Sequence, residues 1–537
     1  MLKGMQRKSG PAFTVTARAR AVVTLPLNKF LVYLIVATLS LAIAGWLPID
    51  VPNIQTCERW VAPAPAGNDS NPGTEQQPWA TLGHAVATVP DAGCTVWVKS
   101  GTYHGATDLE RRFNVPTTFK AVKPYEAVLV HSSTVVEFDG VRNMVFEGFQ
   151  FQHSGPGSSN YVVILDRRDD IWSENVTFRN NIFHDSYDND LLKIHNGARF
   201  ITVENNIFYN QGDSEQHMDV NSVTDIVIQD NIFFNDFAGS DRPISGETKH
   251  FIVVKDSNED HDGHLGSKRI AIRRNIFLNW QGNDESFIQV GNDGKPYHEA
   301  IGVEVVNNLM IGNSPEVVGS VFGVTGARDV LFANNTVVGD MPSEAHAFRV
   351  AIKGENPPNE NIVFVNNIWS DPTGTMGKDL TDDSGKFSRG DPADTRNLLL
   401  EKNLYWNGGE AVPPGDPVSP EDDAQGIFAD PLLPAQRETV ILPRWTGTRF
   451  CSGNDSIREE FVRLVTLYGQ LGVGSAAIDQ ADPTYAPGDD ILRHPRTAPP
   501  DVGAYEYLGT GSAGRLLSDT GRVSFLPIVS DAPLSIC

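Results

Sequence analysis

Metal-type cysteine spacing, helix signals and positive charge are all scarce in this chain. Only four cysteines, Cys57, Cys94, Cys451 and Cys537, occur in 537 residues. None stands at a metal-ligand spacing, which removes zinc ribbons and dithiol redox motifs from consideration. An exported compartment permits disulfides, and Cys57 with Cys94 is one candidate pair. A fold of this size can equally leave its thiols unpaired, so both readings stand. Acidic residues outnumber basic ones, 67 to 43, for a formal charge of −24. That balance excludes nucleic acid or another polyanion as a general partner; a specific anionic ligand needs a local basic patch.

Long apolar runs are missing with one exception, Phe30 to Leu47. It follows Lys3, Arg7, Lys8, Arg18, Arg20 and Lys29, with no acid before Asp50. The run has about the minimum length for a spanning helix, on the order of 18 to 20 residues, and Ala42-Ile43-Ala44 offers a small-x-small cleavage site. Residues 1–50 therefore read as a signal peptide or as an N-terminal membrane anchor. Either way the basic flank stays cytoplasmic and everything after about residue 50 is translocated. The expected location is secreted or cell-surface, with membrane contact only through this segment.

Leucine-rich spacing and Trp-Asp signatures are also missing, which excludes a horseshoe or a propeller. What is present is a different repeat: apolar, any, apolar, any, any, Asn, any, large apolar. Its fixed points are Asn181, Asn206, Asn231, Asn275, Asn308, Asn335, Asn367 and, in a degenerate copy, Asn403. The steps between them run 25, 25, 44, 33, 27, 32 and 36 residues, a coil of roughly twenty-odd residues interrupted by variable loops. Alternation before the Asn marks a strand with one buried face, and the Asn marks a turn before the next apolar residue re-enters the core. Such units cannot bury their apolar face alone, so they stack. The fold class expected is all-β, a right-handed parallel β-helix. Its Asn residues lie one above another as a structural amide ladder.

The stretches Ala66 to Thr74, Gln77 to Leu82 and Val96 to Tyr103 resemble the N-terminal opening of the pectate-lyase-like β-helix superfamily. Phe428 to Pro431, Ala476 to Asp479 and Asp501 to Glu506 are similar to its closing elements. The resemblance covers about residues 60–508 and implies an N-terminal cap and first coil over 60–127, coils over 128–410 and a closing region over 411–508, while the Gly- and Ser-rich composition of 509–537 reads as a flexible tail. Both caps would answer one problem, that a bare terminal coil invites end-to-end association. Residues 237–268 and 371–396 read as polar loops, with an extra strand in 250–255, and 456–470 reads as one inserted amphipathic helix behind a Ser cap.

Superfamily members bind extended polysaccharide along one parallel sheet, so outward-facing residues are the candidates. Aligning Ile194 with Val220 places Lys193, His195, His217, Asp219 and Asn221 on one outer face, at the cost of a one-residue slip against the ladder register. Such a patch suits β-elimination on a uronate: a cation neutralises the carboxylate and a base removes the adjacent proton. A Lys serves as base only with a lowered pKa, whereas His is nearly ready at neutral pH. Lys193, His195, His217 and Asp219 are the expected catalytic residues. Asn221, Gln289, Arg349 and Lys353 are expected to contact substrate, Arg349 as a carboxylate clamp.

Asn189 to Lys193 is weakly similar to the calcium-site strand of polysaccharide lyase family 9, with Asp188 and Asp190 as the ligands implied. Lys193 stands where the third carboxylate would be, which places Ca²⁺ in doubt. A second ionic cluster, Lys249, His250, Lys255, Asp256, Glu259, Asp260, His261 and His264, offers metal-type residues in a loop. The expected protein is a monomer acting on an extracellular polysaccharide. The first choice is a lyase of uronate glycans; a glycoside hydrolase on the same fold and a non-catalytic glycan-binding or structural β-helix are the alternatives.

Overall fold

The computed structural model describes residues 57–509, apart from 213–214, 243–247, 315, 317, 340–345, 377–384 and 435–439. The leader and the tail beyond residue 509 lie outside the described residues. The described chain forms three long sheets, of twelve, ten and twelve strands, and successive strands within each come from successive coils. All of their pairings are parallel, as in Val176↔Met144, Ile194↔Val220 and Phe183↔Phe208. Each coil thus contributes one strand to each sheet, and the molecule is a parallel β-helix.

The repeat explains the coil. Residues such as Val176 and Phe178 point inward from a strand of the first sheet, and Phe183 points inward from the third. Between them the chain turns at a residue with positive φ, among them Asn180, Asn205, Asp230, Asn307 and Asn334, a conformation Asn and Asp tolerate better than most side chains. The next residue is the ladder Asn. The backbone N–H of Asn206 donates to Asn231 Oδ1 at 2.9 Å, and its Nδ2 donates to the same oxygen and to Phe178 O. The series repeats from Asn181 to Asn403 and ends on Asp423 Oδ2, which accepts the N–H and Nδ2 of Asn403. Beside the ladder, Phe151, Phe183, Phe208, Phe233 and Phe277 stack at 4.7–5.0 Å between ring centroids.

The N-terminal end carries a strand, Glu58–Val61, and a helix α1, Leu82–Thr88, whose Leu82, Ala85 and Val86 pack into the main core. Cys57 and Cys94 form a disulfide, and Cys451 is also disulfide-bonded.

The C-terminal region departs from a simple closing element. Its first part sits on the last coil, with Ile427 and Phe428 paired to Leu404 and Tyr405, and the chain after it runs back along the outside of the third sheet. Helix α2, Ile457–Leu464, is capped by Ser456 Oγ, which accepts from Glu459 N, and is followed by a π turn over Val465–Gly469. Phe461 and Leu464 belong to a second core with Ile207, Ile232 and Ile276. Contacts span the length of the solenoid: Trp445 meets Tyr125, Arg274 Nη1 pairs with Asp489 at 3.0 Å, and Gly503 N donates to Asn366 O at 2.8 Å. The physical reason lies in the third sheet itself, whose outward residues are apolar and must be covered. No helix among the described residues is long and apolar enough to cross a membrane.

Candidate functional site

The ten-stranded sheet has the opposite character. Its strands, in chain order, are β1 (Thr107–Leu109), β2 (Val136–Asp139), β3 (Val163–Asp166), β4 (Leu192–Ile194), β5 (Gln216–Asn221), β6 (His250–Lys255), β7 (Ser286–Val290), β8 (Ser320–Thr325), β9 (His346–Ala351) and β10 (Ser388–Gly390). Parallel register sets its outward residues in rows. One row reads Asp108, Glu137, Ile164, Lys193, Asp219, Val253, Gln289, Gly323, Arg349, Arg389. A second sets Asp139 beside Asp166 and, further along, Asn221 beside Lys255; His195 directly follows β4.

Lys193, Asp219 and Lys255 form the centre. Lys193 Nζ lies 2.9 Å from Asp219 Oδ2, and Lys255 Nζ lies 3.8 Å from the same oxygen and 3.5 Å from Asp293 Oδ2. The Tyr161 ring sits 5.2 Å from the Lys193 ammonium. Burial works against charge on Asp219, yet Lys255 and Lys193 hold its pKa low. Burial likewise works against the Lys193 ammonium, and Asp219 and Asp190 outweigh it, raising its pKa. Lys193 is therefore a fixed cation and not a base. The second oxygen of Asp219, Oδ1, is buried without a hydrogen bond.

His195 differs. Burial, reinforced by the Lys193 ammonium, pushes its pKa down to about 4. The imidazole is neutral at physiological pH and half-buried at the edge of the ion cluster. The ring keeps a free nitrogen lone pair at physiological pH, while the same burial and ammonium charge that hold it neutral weaken it as a proton acceptor.

His217 is not on this face. Its ring is fully buried, 4.8 Å from Phe251 between centroids and 6.2 Å from Phe233, and Asn235 Nδ2 lies 3.3 Å from its Nε2. Burial holds it well below the usual histidine range. Alternation counted back from Asp219 fails at the corner where the chain enters the sheet, because two consecutive residues turn inward there. Val162 and Val163, Leu191 and Leu192, Phe251 and Ile252, and Phe287 and Ile288 all do so. His217 occupies that corner column; the apolar residues at the same place in neighbouring coils are the signal that marks it as interior.

The expected substrate contacts are placed differently from one another. Asn221 bonds inward to the adjoining loop, with Nδ2 donating to Ser257 Oγ at 2.7 Å and Oδ1 accepting from Ser257 N at 3.0 Å. Gln289 Nε2 donates to Gly291 O at 2.6 Å and Thr325 Oγ1 at 3.1 Å. Gly323 allows this, since a Cβ there would lie 1.8 Å from Gln289 Oε1. These two amides fasten loops and are not free ligand donors, a correction to their expected role. Arg349 lies on the row, paired with Asp284 Oδ1 at 2.5 Å, and Lys353 lies beyond β9, exposed. Arg389, absent from the sequence candidates, extends the row with an exposed guanidinium.

The acidic residues do not suit a calcium ion. Asp188 is exposed and its Oδ2 accepts Asn160 N at 2.6 Å, whereas Asp190 is buried with its Oδ1 accepting Gln216 N at 3.1 Å. Burial and the charge of Asp219 raise the Asp190 pKa well above the usual carboxylate range, and the neighbouring cation is already Lys193. The loop cluster does not converge either: His250 is buried on Ser286 O at 2.9 Å, while Asp256 anchors the loop by accepting from Ser222 Oγ at 2.6 Å and Gly266 N at 2.5 Å. Among the described residues no three His, Cys, Asp or Glu side chains gather as a metal cage. Lys255 leaves that cluster for the main site, because β6 puts it beside Asn221.

Fold and site together define a parallel β-helix protein with one covered apolar face and one ionic face. No protein-family model matches the chain, and no curated protein sequence matches it. Solved structures with a similar fold include pectate lyase Pel9A, at 15% identity and TM-score 0.48, covering 84% of this chain and 97% of that one. XylC in complex with xylose aligns at 12% identity and TM-score 0.46, covering 84% and 98%. The A-module of the Azotobacter vinelandii mannuronan C-5 epimerase AlgE6 aligns at 13% and 0.38, covering 63% and 92%.

Proposed function

We propose that this is an exported protein that takes a uronate-containing polysaccharide onto the outer face of the ten-stranded sheet and cleaves it by β-elimination. The observation that carries the reading is a neutral His195 held beside two ammonium groups, Lys193 and Lys255, that share one buried carboxylate. In this scheme the ammonium groups draw in the substrate carboxylate, which acidifies the C–H next to it. His195 removes that proton, the electron pair forms a carbon–carbon double bond, and the glycosidic C–O bond breaks with its oxygen taking up a proton. The products are a chain with a new reducing end and one with an unsaturated uronate. Asp219 fixes the two ammonium groups; it does not touch the reacting carbon. No step uses a metal ion.

Incubation with pectate, alginate and glycosaminoglycans, with and without Ca²⁺, should give ultraviolet absorbance from the unsaturated product. His195→Ala should lower the rate by about 10² to 10⁴ while leaving the unfolding midpoint nearly unchanged. Absence of unsaturated product on every substrate sinks the lyase reading. A second reading rests on one specific observation: Asp190 is raised and Asp219 is lowered in pKa, the split that separates an acid from a base in glycoside hydrolysis. New reducing ends without unsaturation would favour it, and binding with neither product would leave a glycan-binding protein.

A further inference from the structure

The rows of the ten-stranded sheet are not uniform in charge. Over β1 to β3 the outward positions hold four carboxylates, Asp108, Glu137, Asp139 and Asp166, and no cation. From β4 to β10 they hold Lys193, Lys255, Arg349 and Arg389 against one carboxylate, Asp219, while Asp293 and Asp284 reach in from adjoining loops to pair with Lys255 and Arg349. The change of sign falls between β3 and β4, where Ile164 stands next to Lys193. His195 and the ammonium pair sit at that boundary.

The acidic end is unneutralised within its own face. Burial and then Asp108, Asp139 and Asp166 push the Glu137 pKa up, and burial with Asp166, Asp169 and Asp108 does the same to Asp139. Of the nearby cations, Arg168 pairs with Glu110, whereas Arg167, directly after Asp166, donates to the neutral carbonyl oxygen of His261 at 2.5 Å and keeps its charge at the edge of this face. Like charges brought into such a groove repel, and the repulsion selects among ligands as much as attraction does.

Resting on the proposed uronate-binding reading, we infer that the groove is one-sided: a polyuronate lies along β4 to β10 with its chain end at His195, and the carboxylates of β1 to β3 bar further uronate residues. The basic segment spans six coil steps of about 4.8 Å each, roughly 29 Å, room for on the order of six sugar units at about one per coil. The protein would then trim chains from one end and not cut within them. The bound length is set by the distance from Arg389 to Lys193, and the acidic coils act as a stop.

The test is binding and product size with uronate oligomers of graded length, on the wild-type chain and on the variant Glu137→Gln/Asp139→Asn. For the wild type, affinity should climb with length and level off near about six units, and polymer digests should release short products while viscosity falls slowly. In the variant the levelling should shift to longer oligomers, with about a tenfold gain for the longest, and early digests should contain mixed sizes. Both substitutions lie on the outer face, and an unchanged unfolding midpoint checks the fold. Affinity that climbs without levelling in the wild type, or a variant indistinguishable from it, overturns the one-sided groove while leaving the uronate reading intact. Failure of the wild type to bind any uronate oligomer overturns that reading, and the one-sided groove falls with it.

Discussion

The outer faces of the third sheet and of the ten-stranded sheet are made by the same coils and held by the same Asn ladder, yet one is sealed and the other carries charge. On the third sheet the outward row reads Ile182, Ile207, Ile232, Ile276, Leu309, Thr336, Ile368, Leu404. Every one of these residues is buried by the returning C-terminal segment. Each buried Ile or Leu is worth about 1.5–3 kcal/mol, and left bare the row would be an aggregation surface. On the ten-stranded sheet the corresponding positions hold Lys193, Asp219 and Arg349. The backbone is indifferent to which face is functional; only the outward side chains decide.

The largest effect should come from breaking the seal. Phe461→Ala removes a fully buried ring between α2 and the third sheet and should cost about 3–5 kcal/mol, read as a lower urea midpoint. Glycan binding by the remaining folded fraction should be unaltered, since the other face does not touch α2. Loss of binding in parallel with an unchanged midpoint would show that the two faces are coupled.

A smaller effect should follow from cutting what the faces share. Asn231→Ala strips the partner from Asn206 N and Asn206 Nδ2 and leaves Val203 O without its donor. Buried groups left unsatisfied cost about 1–3 kcal/mol each, and partial relaxation should bring the total to about 2–4 kcal/mol. Hydrogen exchange should quicken in the strands on both sides of coil 206–231. Exchange that quickens on one face alone would mean the ladder does not bind the faces together.

The sequence made the ladder legible because a turn Asn every coil is both periodic and chemically specific. It also made the Lys193–Asp219 pair legible, because Ile194 and Val220 announce the register. His217 faces the core and not the open face because strand alternation does not hold at a coil corner, and only a comparison with Leu191, Phe251 and Phe287 reveals that column. The use of Asn221 and Gln289 to fasten loops depends on where Ser257 and Thr325 arrive in space, which no local pattern states. The return of residues 440–507 along the third sheet was equally hidden. Its cue was the outward Ile row, which half-buried alternation would not predict and which calls for a cover.

The smallest effect tests whether acid acts through the ionic face. His195, held down to about 4, and His250, held down to about 3, are both neutral when folded. Above about pH 6.5 they are neutral in the unfolded chain as well and contribute nothing to the pH dependence. As pH falls below that value the unfolded chain takes up protons that the folded one refuses, so stability is lost through the window between about 6.5 and their folded values. Asp190, raised by burial and by Asp219, works in the opposite sense, since its folded form holds a proton that the unfolded form releases as pH rises. His195→Asn should therefore lose less stability than the wild type between about pH 7 and pH 5, with urea midpoints as the measure. His250 and His217, both lowered chiefly by burial, should account for shares of the remaining slope. If His195→Asn keeps the full wild-type slope, its imidazole is not held neutral by burial and Lys193, and the base assigned to the open face loses its basis.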